Sequence, residues 1–145
     1  MVYVMASTNP GPDEICRTLR SIHTIVVMGL SSNPARPSYQ VARAMQAYGY
    51  RIVPVRPQIQ EMLGEQAYPD LESVPFKVDM VDVFRSAEHA PAIVESCIKL
   101  GIPRLWLQEG IIHEEAAQRA QAAGITVVMN RCMWRDYTQL CRQMP

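Results

Sequence analysis

No stretch of this 145-residue sequence approaches the roughly 20 consecutive apolar residues of a membrane-spanning helix. The opening MVYVMASTNPGP is too short and too interrupted for a secretory signal, so a cytoplasmic protein without membrane contact is expected. An excess of one charge is missing as well. Lys and Arg number 14 against 14 Asp and Glu, and the arginines are scattered, which excludes the electrostatic footprint of a nucleic-acid binder. There is no CxxC: Cys16, Cys97, Cys132 and Cys141 are far apart, and His23, His89 and His113 stand alone. That spacing builds no metal site, and no structural disulfide is expected. A Walker lysine is absent, there is no GxSxG elbow, and after Gly29 the second and third glycines of a GxGxxG fingerprint are replaced by Ser31 and Pro34.

What is present is a strand that runs into a loop and a helix start. Ile25 to Met28 are continuously apolar, as burial on both faces of a parallel sheet requires, and Gly29 lets the backbone turn. Pro37 suits the first position of a helix, and Ser38 is a cap candidate within one residue of it. Free backbone N–H groups at a helix start attract anions, so the loop invites a phosphate. The competing reading is a plain strand-to-helix turn.

The length bounds a single domain over residues 13–145, preceded by a flexible tail over 1–12. Asp13 is a candidate cap for a helix EICRTLRSI with Ile15, Leu19 and Ile22 on one face. The first crossover helix runs from Tyr39 to Tyr48, and Tyr50 to Val55 reads as a second strand. Residues 56–77, broken by Pro57, Gly64, Pro69 and Pro75, read mostly as connection, with one helical turn at Leu71 to Val74. Val78 to Phe84 is the third strand, a helix opens at Pro91 and closes at Gly101, and Arg104 to Leu107 is the fourth strand. A helix begins near Glu114, Thr126 to Met129 is the fifth strand, and Trp134 to Met144 forms a last helix.

Strands and helices alternating in this way predict an α/β fold: a Rossmann-like, doubly wound parallel sheet of about five strands, ordered 3-2-1-4-5, with helices on both faces. Ligands of such sheets lie beyond the C-terminal ends of the strands, which here carry Gly29 to Ser32, Arg56 and Pro57, Phe84 and Arg85, Gln108 to Gly110, and Asn130 to Cys132. At the end of the second strand, where an acid would accept the hydroxyls of an NAD ribose, stands Arg56. An arginine there suits a phosphate on the ribose, a feature of both NADP and coenzyme A, with a solvated arginine as the competing reading.

Six blocks in consistent order, GLSSNPARPSYQVA, YRIVPVRP, LGEQAYPDLESVP, VDMVDVFR, LWLQEGI and VVMNRC, resemble the small CoA-binding proteins of the YccU-like family, over about His23 to Cys132. That family is similar to the CoA-binding domain of the succinyl-CoA synthetase alpha subunit. The resemblance implies a Rossmann-like domain that binds coenzyme A or an acyl-CoA, with no established reaction. By position, Gly29, Leu30, Ser31 and Ser32 together with Arg36, Pro37, Ser38 and Tyr39 would receive the CoA phosphates. Val55, Pro57, Val83 and Phe84 would border the adenine, with ordinary core packing as the competing reading for the two valines. Gln108 and Gly110 would follow the pantetheine, and Arg56 and Arg85 adjoin expected phosphate positions. The family usually has Asp-Arg-Cys where this chain has Asn130, Arg131 and Cys132, and PVNP where it has PVRP.

The synthetase's phosphorylated histidine lies in a further domain, for which this sequence leaves no room, so a binding, carrier or sensor module is expected rather than a ligase. An NADP-dependent oxidoreductase and a ligand-free interaction protein are the alternatives, and a protein partner or a homodimer is left open. His113 reads as a structural or solvated histidine, with a catalytic role as the competing reading. Cys132, on the ligand-bearing edge, could form a mixed disulfide with the CoA thiol, against the more common state of a packed thiol.

Overall fold

The computed structural model describes residues 9–141. Five parallel strands form the central sheet: β1 (Thr24–Met28), β2 (Arg51–Val55), β5 (Met80–Val83), β6 (Arg104–Gln108) and β7 (Thr126–Arg131). Between β2 and β5 a small antiparallel hairpin pairs β3 (Glu61–Met62) with β4 (Glu65–Gln66). Helices α1 (Pro12–Ser21) and α2 (Pro37–Ala47), with the short α5 (Met133–Asp136), pack on one face, and α3 (Ala90–Leu100) and α4 (Glu114–Ala122) on the other.

Alternation within β1 shows how both layers are filled. Val26 points to the α3 and α4 side, where Val94, Cys97, Ala117 and Ala120 lie, while Ile25 and Val27 meet Leu19, Met45 and Trp106 on the other. All of these are almost wholly buried. Each such side chain contributes roughly 1.5–3 kcal/mol of burial free energy, or less for an alanine. Trp106 keeps its indole N–H satisfied by donating to the Arg131 carbonyl at 2.8 Å.

The fold class stands as expected from the sequence; the strand order does not. The sheet runs β2-β1-β5-β6-β7, which is 2-1-3-4-5 among its own strands, rather than 3-2-1-4-5. The third strand pairs with β1, not beyond β2. Pro54 supplies the physical reason. A proline has no N–H to give a further strand, so it confines β2 to the sheet edge. Its carbonyl instead accepts from Tyr68 N at 3.0 Å, and Arg56 N donates back to the Tyr68 carbonyl at 2.8 Å. The segment expected to be mere connection thereby covers that edge. Its hairpin turns on Leu63 and Gly64, both at positive φ, and is tied to α2 where Gln46 Nε2 donates to the Leu63 carbonyl at 2.8 Å. A pair of two-residue strands offers no periodicity to read.

Three local expectations also change. The N-cap of α1 is Gly11, with Asp13 inside the first turn. The one-turn helix at residues 71–74 is present as a 3-10 turn at Leu71–Ser73, capped by Asp70, whose carboxylate accepts from Ser73 N at 2.8 Å. The last helix begins as α5 and continues as a π-helical turn, Tyr137–Cys141; residues 142–144 of the expected helix lie outside the described residues.

The absence of a disulfide is overturned: Cys16 and Cys141 are joined, their Cα atoms 5.2 Å apart. They are 125 residues apart in sequence, so no local spacing announces the pair. Both lie in the apolar layer where α1 meets the C-terminal turn. Cys97 is free and buried, and burial pushes its thiol up to about 12. Of the tail expected to be flexible, only residues 9–12 are described. Asn9 there pairs with the backbone of Met129, donating to its carbonyl at 2.9 Å and accepting from its N–H at 2.8 Å. Among the described residues no helix is long and apolar enough to cross a membrane.

Candidate functional site

At the C-terminal edge of the sheet, where the chain leaves β1 and β5 toward opposite faces, a cleft of about 850 Å³ opens. Gly29 forms its floor. Its φ is +82°, and a Cβ there would stand 2.8 Å from the Phe84 carbonyl oxygen and 2.9 Å from Arg85 Cδ. Only glycine lets the turn after β1 pass this close to the turn after β5. Gly29 N also donates to the Val55 carbonyl at 3.3 Å, tying the turn to the end of β2.

The loop beyond is held by its own polar atoms. Ser31 N donates to Ser38 Oγ at 2.9 Å, Asn33 N to Ser31 Oγ at 3.1 Å, and Ala35 N to Asn33 Oδ1 at 3.0 Å. Ser38 therefore fastens the loop and does not cap the helix. The N-cap of α2 is Arg36, in extended conformation and without a side-chain cap, followed by Pro37 at the first helical position. The first-turn N–H groups of α2 are left without a side-chain acceptor, at the positive end of the helix dipole.

Of the candidate residues, Gly29, Ser31, Arg36, Pro37, Ser38, Val55, Arg56, Pro57, Phe84 and Arg85 line this one cleft. Leu30 and Val83 are wholly buried in the two apolar layers, so both belong to the core. Ser32 and Tyr39 lie outside the cleft lining, Ser32 exposed and Tyr39 packed against the α1 and α2 layer. Gln108 is buried beneath the edge: its Nε2 donates to Asp82 Oδ1 at 2.7 Å, and its Oε1 accepts from Met133 N at 3.4 Å. Gly110 is exposed and donates its N–H to Asn130 Oδ1 at 2.8 Å, fastening the turn after β6 to the end of β7. Gln58, Ser86 and Glu109 line the cleft without having been singled out as ligand contacts, although each adjoins a residue at a strand end or its turn.

Three arginines face this space. Arg56 Nη1 donates to the Leu30 carbonyl at 3.2 Å, Arg85 Nη2 lies 3.2 Å from His89 Nε2, and Arg36 is exposed. Among the described residues none of the three forms an ion pair with a carboxylate. The acid of the lining, Glu109, is engaged by Arg135 of α5, and that hydrogen-bonded guanidinium holds its carboxyl below the usual range. Asp82, under the same edge, is almost wholly buried, and burial pushes its carboxyl up to about 7 against the opposing hydrogen bond from Gln108. Burial thus opposes a negative charge beneath the arginines.

Two other candidates fall away from the cleft. His113 caps α4: its Nδ1 accepts from Ala116 N at 3.0 Å. Cys132 is the partly buried N-cap of α5 and does not line the cleft.

Residues 23–138 match a family described as the CoA binding domain. The chain belongs to that family. The uncharacterized protein YneT of Bacillus subtilis (strain 168) is 40% identical over 125 residues, covering 86% of this chain and 93% of YneT. A solved structure of a hypothetical protein from Pyrococcus horikoshii OT3 matches 97% of this chain and 99% of its own, with 31% identity and a TM-score of 0.88. The dinucleotide-forming acetyl-coenzyme A synthetase 1 of Ca. Korarchaeum cryptofilum, in its apo form, matches with 26% identity and a TM-score of 0.65. This CoA-binding domain spans 74% of its own length there and 26% of the synthetase chain.

Proposed function

We propose that this protein binds coenzyme A or an acyl-CoA in the cleft at the C-terminal edge of the sheet, as a binding, carrier or sensor module. The diphosphate lies over the loop from Gly29 to Ser32 and against the open start of α2, with Arg36 and Arg85 beside it. Val55, Pro57 and Phe84 border the adenine, and the pantetheine leaves past Glu109 and Gly110.

One observation carries this reading: in a member of the CoA-binding family, an uncapped helix start, a glycine turn that admits no Cβ, and arginines without carboxylate partners face the same cleft. A polyanion supplies what each of them lacks. The resemblance to a CoA-using synthetase is of the same kind, through a domain that is a quarter of that enzyme. The lining offers cations and hydroxyls, the groups that hold a polyanion.

The test is calorimetric titration of the protein with CoA, acetyl-CoA, NADP⁺ and NAD⁺ side by side. Saturable binding of CoA or acetyl-CoA in preference to both dinucleotides supports the reading. Binding of NADP⁺ alone would move it to redox chemistry, and no saturable binding would leave an interaction protein.

A further inference from the structure

Holding a diphosphate at the loop and helix start leaves one cation of the cleft unused. Arg56 follows β2, the position at which a doubly wound sheet reads the ribose of a bound nucleotide. An acid there accepts the two ribose hydroxyls; this chain has a guanidinium and no carboxylate in its place.

Arg56 is also fixed at both ends. Its backbone N–H is taken by the Tyr68 carbonyl at 2.8 Å, and its Nη1 by the Leu30 carbonyl at 3.2 Å. Leu30 is itself wholly buried, so that carbonyl is anchored to the core. One of the five guanidinium N–H donors is thus spent on holding the side chain over the loop, and the planar fork keeps donors for a phosphate. A side chain already held loses less freedom when it binds.

We propose that Arg56 is the residue by which the cleft distinguishes a ribose carrying a phosphate monoester from a free ribose diol, so that CoA binds in preference to its 3′-dephospho form. This rests on the CoA reading above and adds the ribose phosphate as the group recognised.

The experiment is titration of the full-length protein and of Arg56→Gln and Arg56→Lys with CoA and with 3′-dephospho-CoA, with thermal melts to show that the variants fold. The wild-type protein should bind CoA at least about tenfold more tightly than dephospho-CoA, a difference of about 1.4 kcal/mol. Arg56→Gln should narrow that ratio to about twofold through lost CoA affinity. Arg56→Lys, which keeps the charge but not the fork, should fall between. A ratio that survives in Arg56→Gln, or equal affinities in the wild type, overturns the role of Arg56 while CoA binding stands. If neither ligand binds, the CoA reading fails and this inference fails with it.

Discussion

Arg51 and Arg56 lie at opposite ends of one strand and do opposite things. At the start of β2, Arg51 meets Glu65 with two nitrogens, at 2.9 and 3.3 Å, and lays its guanidinium 4.0 Å from the centre of the Phe76 ring. Beyond the end of the same strand, Arg56 holds one carbonyl and faces an open cleft. The rest of the sheet repeats the contrast. At the N-terminal edge, Arg104 donates to the Asp79 carbonyl at 3.2 Å, and the Asp79 carboxylate accepts from His23 N and Thr24 N. At the C-terminal edge, Arg36 and Arg85 have no carboxylate among the described residues. Arg51 is closed into the structure by Glu65, whereas Arg36, Arg56 and Arg85 face the cleft with no carboxylate opposite among the described residues.

Asp82 is the sharpest challenge to that contrast, because it is an acid under the cationic edge. The contrast holds only while burial keeps it protonated. Its folded value, about 7, lies above the 3.8 of an accessible aspartate. The unfolded chain therefore loses its proton first. This group subtracts stability progressively as pH rises from about 4 to about 7 and by a constant amount above that. The loss is on the order of 4 kcal/mol, at about 1.4 kcal/mol for each unit of displacement. Denaturant melts should show Asp82→Asn, which keeps an acceptor for Gln108, free of this decline and more stable than the wild type at pH 8. Parallel pH profiles for the two proteins would mean that Asp82 is ionised in the fold.

Gly29 ties the two edges' roles together, since the turn it makes is what opens the cleft. Gly29→Ala should cost about 2 kcal/mol of stability, from a φ of +82° and a contact with the Phe84 carbonyl. It should also abolish CoA binding by pushing the loop off the turn after β5. A variant with wild-type stability and affinity would show that the close approach has no role.

The smallest effect belongs to the stapled edge. Arg51→Ala should cost about 1 kcal/mol, the sum expected of a half-exposed ion pair and one cation–π contact. It should leave ligand affinity within twofold, as measured by melt and titration.

The five main strands and both helical layers could be read from the sequence, because buried parallel strands appear as unbroken apolar runs such as Ile25 to Met28. The strand order is legible too: Pro54 marks β2 as an edge strand, which leaves the third strand the free side of β1. Neither the hairpin at residues 61–66 nor the disulfide of Cys16 had a legible signal. One is too short for periodicity, and the other depends on tertiary packing across the whole chain.

At the site, positions after strand ends were legible as a set, since topology alone brings Gly29, Arg56 and Arg85 together. The fate of each side chain was not. Leu30, Val83 and Gln108 stand at the expected places but point into the protein, and a residue slip of one is enough to turn a ligand contact into core.

The central claim is that unpaired arginines at the C-terminal edge, and not arginines in general, hold the ligand. The most direct measurement is CoA titration of Arg36→Ala beside Arg51→Ala, at one ionic strength and with both variants shown to be folded. The account predicts at least about tenfold weaker binding for Arg36→Ala and an unchanged affinity for Arg51→Ala. Equal weakening by the two substitutions, or none by Arg36→Ala, would contradict it.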